Sequence, residues 1–323
     1  MSSPYHRRSP ALFILAGRMG LSCLIAAAVL FSCTPVQDQE PLLQRHTVEV
    51  DGHPLALWEK SPPDPWGTIL LLHGRTWSSL PDFDLQVPGE ELSLMDGLAA
   101  EGLSVFALDL RGYGGTPRDE TGWLTPDRAS RDVVGVLYWL LDRTGTRPAL
   151  FGWSNGSMVA QLTAQREGEL ISDLVLFGYP VDPDVDFSPP ASDPEDPPRN
   201  PTTAEAAASD FIVQGAISQQ AIEEYVRQAL EADPVRMDWR RLEEWNELDP
   251  AKVLVPTLLL QGEKDPLART PRQAAFFSGL GTADRTWVTL AGGDHAAHLE
   301  MPRARFIHAL VSFLRRPGNR QAP

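Results

Sequence analysis

The chain has 323 residues, 42% of them hydrophobic, and a formal net charge of −15 at pH 7. This length suits one large domain or two small ones, and the acidic balance argues against binding nucleic acid or an anionic membrane through a basic face. The only two cysteines, Cys23 and Cys33, lie near the N-terminus. We therefore expect the folded part to contain neither thiols nor disulfides.

The first 32 residues have the pattern of a targeting segment. Three arginines precede an apolar run from Leu21 to Phe31, which is too short to span a bilayer and suits a secretory signal. Leu30-Phe31-Ser32-Cys33 resembles a bacterial lipobox, whose cysteine is lipidated and becomes the mature N-terminus. We predict a signal peptide at 1–32, lipidation of Cys33, a tether at 33–44 and a membrane-anchored protein of the cell envelope. A secreted or periplasmic protein, or one with an uncleaved anchor, is the alternative.

A hairpin and a buried strand open the predicted fold. His46–Val50 and Leu55–Glu59 alternate in polarity and are joined through Asp51-Gly52, a hairpin signal. Gly67–Leu72 then predicts a buried strand that runs into His73-Gly74-Arg75. The glycine would open this loop so that the backbone N–H of Arg75 points into a site, with His73 supporting the loop through hydrogen bonds.

Strand and helix signals alternate along the next part of the chain. We predict a loop at 81–89, a helix at 90–101 and a strand at 103–108. Thr125-Pro126-Asp127 combines a cap, a first-turn proline and an acid at the positive end of the helix dipole, so it predicts a helix start. This βαβ rhythm predicts an α/β fold with a mostly parallel sheet and helices on both faces.

The most informative segment is Gly152-Trp153-Ser154-Asn155-Gly156, a G-x-S-x-G pattern between an apolar strand and a helix. In that context the serine lies on a sharp, strained turn that exposes its hydroxyl above the sheet. The flanking residues Gly152 and Gly156 leave room for such a turn. Ser154 is therefore the candidate nucleophile, and the N–H of Asn155, at the helix start, is a second candidate donor to an oxyanion.

The alternation of strand and helix signals stops between the strand at Leu174–Phe177 and the next strand at 255–260. Residues 182–200 are rich in proline and acid and predict a surface loop. After them, Thr202-x-x-Glu205 predicts a capped helix, and two further helices are indicated around Tyr225 and around Trp239–Trp245. We interpret 182–248 as an all-helical insertion in a core formed by 45–181 and 249–317.

A serine alone is a weak nucleophile at neutral pH, so a base and an orienting acid are expected after it. The predicted strand at 255–260 leads into Gly262-Glu263-Lys264-Asp265. A second strand, at 286–290, leads into Gly293-Asp294-His295. The order Ser154, Asp265, His295, with the last two just past strand ends, is the order of a catalytic triad on this kind of sheet.

Together these blocks resemble the α/β-hydrolase superfamily, from about Arg45 to Arg316. The resemblance implies Ser154 as nucleophile, His295 as general base, Asp265 as its orienter, and the helical insertion as a lid over the serine. Some relatives carry the acid after the preceding strand, which keeps Asp182 and Asp184 as alternatives. The residue before the histidine, often glycine in this family, is Asp294, and it would place a second carboxylate beside the base.

The expected chemistry is acyl transfer to Ser154 followed by hydrolysis, without a cofactor. A serine nucleophile argues against epoxide hydrolases and haloalkane dehalogenases, which need an alkyl-ester intermediate. A small-molecule ester is the favoured substrate, as in a carboxylesterase or lipase. An aminopeptidase or amidase, a carbon–carbon hydrolase and a catalytically idle lipid- or partner-binding protein are alternatives. His295 and His298 lack the spacing of a zinc site, and we expect no metal.

Overall fold

The computed structural model describes residues 41–181, 186–188 and 194–318. The predicted signal peptide, Cys33 and most of the predicted tether lie outside these ranges, as do Asp182 and Asp184. Among the helices that the structure describes, none is both long enough and apolar enough to cross a membrane.

Ten strands are found in the described ranges, and eight of them form the central sheet. In chain order they are β1 (Gln44–Val50), β2 (His53–Lys60), β3 (Gly67–Leu72), β4 (Leu103–Leu108), β5 (Trp123–Leu124), β6 (Ala149–Trp153), β7 (Leu174–Phe177), β8 (Asp238–Trp239), β9 (Thr257–Gly262) and β10 (Arg285–Leu290). The two-residue strands β5 and β8 pair with each other, apart from the main sheet.

The order of strands in the main sheet is β1-β2-β4-β3-β6-β7-β9-β10. All strands from β4 to β10 in this order are parallel, and the β1–β2 hairpin adds antiparallel pairings at one edge. The chain moves outward from β3 to β4 and then returns to place β6 on the other side of β3. Strand order therefore reverses between β3 and β6, and a crevice at the carboxyl ends of these strands is where ligands bind in such sheets.

The helices in the described part are α1 (Ser79–Phe83), α2 (Leu94–Ala100), α3 (Pro126–Thr144), α4 (Asn155–Arg166), α5 (Ala204–Ala208), α6 (Gln219–Ala232), α7 (Thr270–Gly279) and α8 (Arg303–Leu314). Helices α3 and α4 pack on one face of the sheet, and α2 and α8 pack on the other. Successive residues of β3 face alternate cores, with Leu70 and Leu72 in one and Ile69 and Leu71 in the other. Burial on both faces explains why β3 is a continuous apolar run.

Several predicted elements of the core are confirmed. The hairpin turns at Asp51 and Gly52, which both have positive φ, and β3 and β4 have the predicted bounds. Thr125 caps α3 by accepting the N–H of Arg128 at 3.2 Å. The segment before β4 differs from the prediction, because α1 lies partly in the predicted loop and α2 begins only at Leu94. Ser93 caps α2, accepting the N–H of Asp96 at 2.9 Å.

The insertion between β7 and β9 is less helical than predicted. Helices α5 and α6 are present, but the first is capped by Thr203 and not by Thr202, whose hydroxyl donates to the carbonyl of Asp233. The prediction of a third helix around Trp239–Trp245 is wrong. Its residues form β8, paired with β5, followed by a 3₁₀ segment over Leu242–Glu247. Pairing with a distant two-residue strand leaves no periodic signal in the local sequence.

Candidate active site

Ser154 lies on the turn between β6 and α4, in a backbone conformation that non-glycine residues rarely adopt. Its φ is 53° and its ψ is −121°. The turn is held because the Ser154 N–H donates to the carbonyl of Phe177 at 2.9 Å and the Ser157 N–H donates to the carbonyl of Ser154 at 2.9 Å. Strained residues of this kind persist only where the surroundings fix them, and they concentrate at functional sites.

The glycines that flank the serine are required by close packing. A Cβ at Gly152 would lie 2.2 Å from the carbonyl oxygen of Gly156. A Cβ at Gly156 would lie 2.4 Å from the carbonyl oxygens of both Leu72 and His73. The first turn of α4 therefore lies directly against the end of β3, which brings the serine turn next to the loop after β3.

His295 and Asp265 lie together at the ends of β10 and β9. The Nδ1 of His295 donates to Oδ2 of Asp265 at 2.8 Å, so Nε2 is the ring nitrogen that the acid does not engage. The other carboxylate oxygen accepts the N–H groups of Leu267 and Ala268 at 2.8 and 3.1 Å. Burial opposes ionisation of Asp265, but these hydrogen bonds and the histidine outweigh it and hold its pKa below the ordinary value.

Two residues that sequence reasoning did not single out position the histidine. Trp153, next to the serine, donates its indole N–H to the carbonyl of His295 at 2.7 Å and thereby ties the serine turn to the histidine turn. Gly178 follows β7, and a Cβ there would lie 2.9 Å from Cε1 of His295 and 3.3 Å from Oδ2 of Asp265. Within the described residues, the Ser154 hydroxyl makes no hydrogen bond to the histidine ring.

The loop after β3 has the features expected of an oxyanion-binding loop. His73 is fully buried; its Nε2 accepts the Leu110 N–H at 3.1 Å and its Nδ1 donates to the carbonyl of Gly74 at 2.8 Å. Burial lowers the pKa of His73, so the ring is a neutral support for the loop. A Cβ at Gly74 would make only ordinary contacts, at 3.7 Å, so this glycine is not needed to open the loop.

Two backbone donors are available next to the serine. The N–H of Gly74 donates to Asp82 at 3.1 Å, whereas the N–H groups of Arg75 and Asn155 have no acceptor among the described residues. Asn155 is the first residue of α4, where backbone N–H groups lack a partner within the helix. Both N–H groups are therefore without a protein acceptor in the described part of the chain, and their role as oxyanion donors stays a prediction.

The insertion is fastened to this loop by buried polar groups. Trp239 donates to the hydroxyl of Tyr113 at 2.7 Å, and that hydroxyl donates to the carbonyl of Arg75. Asp233, which ends α6, accepts the N–H groups of Ser78 and Gly114 at 2.8 and 2.9 Å. Burial raises the pKa of Asp233 to about 6. The position of the insertion and the shape of the loop are therefore coupled.

His298 is a packing residue in this structure. It is buried in contact with the rings of Trp153 and Phe177, and its Nε2 donates to the carbonyl of Asp82 at 2.9 Å. Burial lowers the pKa of His298 to about 3, so the ring is neutral. No group of three or more metal-binding side chains occurs in the part of the chain that the structure describes.

The sequence suggested that Asp294 would place a second carboxylate beside His295. In the structure, the carboxylate of Asp294 is engaged elsewhere. Its oxygens accept backbone N–H groups instead, two of them from the insertion, at Ile212 and Val213. The N–H of Asp294 donates to Glu300 at 2.9 Å. Burial and the neighbouring Asp294 and Asp265 carboxylates raise the pKa of Glu300 to about 8, so Glu300 is protonated at neutral pH.

Comparison with known proteins agrees with the fold, a mostly parallel sheet with helices on both faces. The chain belongs to the alpha/beta hydrolase family, whose model matches residues 69–309. A search of the curated proteins finds no significant match.

Several solved structures share the fold. A serine hydrolase involved in carbazole degradation is 20% identical, with a TM-score of 0.61 over 84% of this chain and 99% of that one. The thioesterase domain from the curacin biosynthetic pathway is 21% identical, with a TM-score of 0.60 over 84% and 99%. Epoxide hydrolase A from Mycobacterium thermoresistibile is 20% identical, with a TM-score of 0.61 over 85% and 98%. At these identities the likeness shows the fold alone.

Replacing Gly178 by alanine should displace the histidine ring, because the new methyl group would lie 2.9 Å from Cε1 of His295. We expect the rate at which a fluorophosphonate labels Ser154 to fall by about 100-fold, as misplacement of a reacting group by about 1 Å can cause. Gly292→Ala is the matched control, since Gly292 also has a positive φ but has open space around it. Equal losses in the two variants would refute the steric explanation.

Glu300 should make the protein less stable as the pH rises. The unfolded chain releases this proton near pH 4.5, whereas the folded protein holds it until about pH 8. Between these values the unfolded state binds fewer protons, so the free energy of unfolding should fall by up to about 1.4 kcal/mol per pH unit. Urea unfolding across this range should show a smaller loss in Glu300→Gln than in wild type, with the difference largest above pH 6, where Asp233 has already lost its proton. The exposed Glu263, which accepts the N–H of Gly292 in the same turn, provides the control variant Glu263→Gln.

Proposed function

We propose that this protein is a serine hydrolase that forms an acyl-enzyme on Ser154, with His295 as general base and Asp265 as the group that orients it. The observation that carries the proposal is the hydrogen bond from Nδ1 of His295 to Asp265, 2.8 Å long, at the same sheet edge as the strained Ser154 turn. A protonated Nδ1 leaves Nε2 free to take the serine proton.

In the proposed reaction, Oγ of Ser154 attacks the acyl carbon while its proton passes to Nε2 of His295. The resulting oxyanion accepts the N–H groups of Arg75 and Asn155. Collapse breaks the bond to the leaving group, which takes the proton from His295. Water then attacks the acyl-enzyme with the same assistance and releases the acid and the free serine. Loss of one such oxyanion donor costs about 10²–10³ in rate in comparable sites.

A carboxylic ester is the substrate class that we propose. A serine nucleophile is suited to acyl transfer, and it argues against the alkyl-ester chemistry of an epoxide hydrolase even though one such enzyme shares the fold. Two other neighbours are described as a serine hydrolase and a thioesterase. An amidase or aminopeptidase and a carbon–carbon hydrolase use the same machinery, and a panel of substrates separates them from an esterase.

We also propose that the protein is exported and held at the cell envelope by lipid attached to Cys33. The arginine-flanked apolar run at 21–31 and the lipobox-like Leu30-Phe31-Ser32-Cys33 support this. Stable anchoring requires more than one acyl chain, as bacterial lipoproteins carry. The active site would then act on substrates outside the cytoplasm.

Labelling by a fluorophosphonate should modify wild type at Ser154 and fail in Ser154→Ala and His295→Ala. Hydrolysis of a short p-nitrophenyl ester should fall by about 10⁴-fold or more in both variants, and by less in Asp265→Asn. Thermal unfolding of each variant checks that the fold persists. Well-folded wild type that neither labels nor turns over any substrate in the panel would favour the idle binding protein.

Anchoring should depend on Cys33 and not on the other cysteine. Expressed as the full chain in a bacterium that processes lipoproteins, wild type and Cys23→Ser should incorporate labelled palmitate and partition with membranes. Cys33→Ser should do neither. Palmitate incorporation that survives in Cys33→Ser would contradict the proposal.

A further inference from the structure

A short segment of the insertion, from Asp210 to Ala216, is hydrogen-bonded to two loops at the candidate site. At its start, Asp210 accepts the indole N–H of Trp77, which lies in the loop after β3, at 2.9 Å. At its end, the carbonyl of Ala216 accepts the N–H of Met301 at 2.8 Å. The segment therefore contacts the loop after β3 at one end and the turn after His295 at the other.

Asp294 makes the central contact with this segment. The residue is fully buried, and its Oδ2 accepts the N–H groups of Ile212 and Val213 at 2.8 and 2.6 Å. Its Oδ1 accepts the N–H of Ala296 at 2.9 Å. One oxygen thus binds the insertion, and the other closes a tight turn around His295.

A carboxylate is the side chain that this arrangement requires. Three N–H donors converge on two acceptor oxygens, and both oxygens of an ionised aspartate can accept them. Asparagine has one oxygen, so its NH₂ group would face either the two insertion donors or the Ala296 donor. The contact would therefore be broken on one side, and the loss is more destabilising if the donor left without an acceptor is the buried N–H of Ala296.

We propose that Asp294 is a positioning residue that fastens the lid segment at 210–216 to the turn carrying His295, so that docking of the lid and orientation of the histidine form one cooperative unit. The inference rests on the proposed role of His295 as general base. A lid attached in this way orders the histidine whenever it is docked and releases the turn when it lifts.

Replacing Asp294 by asparagine tests this in the full-length protein. We expect kcat for ester hydrolysis and the rate of fluorophosphonate labelling to fall together by about 10- to 100-fold, with a smaller change in KM. The low-field proton resonance of Nδ1 in His295, bonded to Asp265, should shift or broaden. Glu263→Gln is the matched control, because Glu263 also accepts a backbone N–H of this turn, at Gly292, but makes no hydrogen bond to the insertion within the described residues, so this resonance should stay in place.

Hydrogen exchange in wild type gives a second test that does not depend on how the variants fold. The amides of Ile212, Val213 and Ala296 should exchange through one opening event, with equal protection, because all three donate to Asp294. Exchange of the two lid amides far ahead of Ala296 would overturn the inference. So would an unchanged histidine resonance with full labelling in Asp294→Asn.

The two proposals fail in different ways. Wild type that is not labelled at Ser154 defeats the proposed function, whatever Asp294 does. Wild type that labels normally, beside an Asp294→Asn variant that behaves like wild type, defeats only the role of Asp294.

Discussion

The close approach of α4 to the end of β3 is the contact on which the candidate site depends. No Cβ fits at Gly156, which lies against the carbonyls of Leu72 and His73, and none fits at Gly152. This packing forces Ser154 into its positive-φ turn and brings the free N–H of Asn155 beside the loop that carries Arg75. The reversal of strand order between β3 and β6 places these groups at the position where sheets of this type form a ligand-binding crevice.

Buried carboxylates then fix the loops around that crevice. Asp82, Asp233, Asp265 and Asp294 each accept at least one backbone N–H from a loop at the carboxyl edge of the sheet. A carboxylate accepts several donors at once and does so more strongly than a neutral group, so a few side chains can hold irregular backbone in place. The consequence is sensitivity to pH, because burial raises the pKa of Asp82 and raises that of Asp233 to about 6.

The core and the positions of the candidate site residues could be predicted because their signals are local. The bounds of β3 and β4, the cap of α3 at Thr125 and the serine turn each follow from a few adjacent residues. The order of serine, acid and histidine along the chain, with the latter two at strand ends, then indicated that Asp265 and His295 would meet, and their side chains are hydrogen-bonded.

The insertion could not be predicted equally well because its structure depends on contacts distant in the sequence. Trp239, Leu242 and Trp245 are spaced like one face of a helix, but pairing of β8 with β5 keeps Trp239 extended, and the other two lie in a separate 3₁₀ segment. Asp294 stood out only as a departure from the family pattern. Its partners are backbone N–H groups at 212 and 213, which every non-proline residue has, so the sequence carries no sign of them.

The most direct test of this account is a crystal structure of the protein after reaction with a fluorophosphonate. We predict that phosphorus is bonded to Oγ of Ser154, and that one phosphonyl oxygen accepts the N–H groups of both Arg75 and Asn155. Nε2 of His295 should lie within hydrogen-bonding distance of the adduct. Phosphorus on another side chain, or a phosphonyl oxygen directed away from both N–H groups, would contradict the arrangement described.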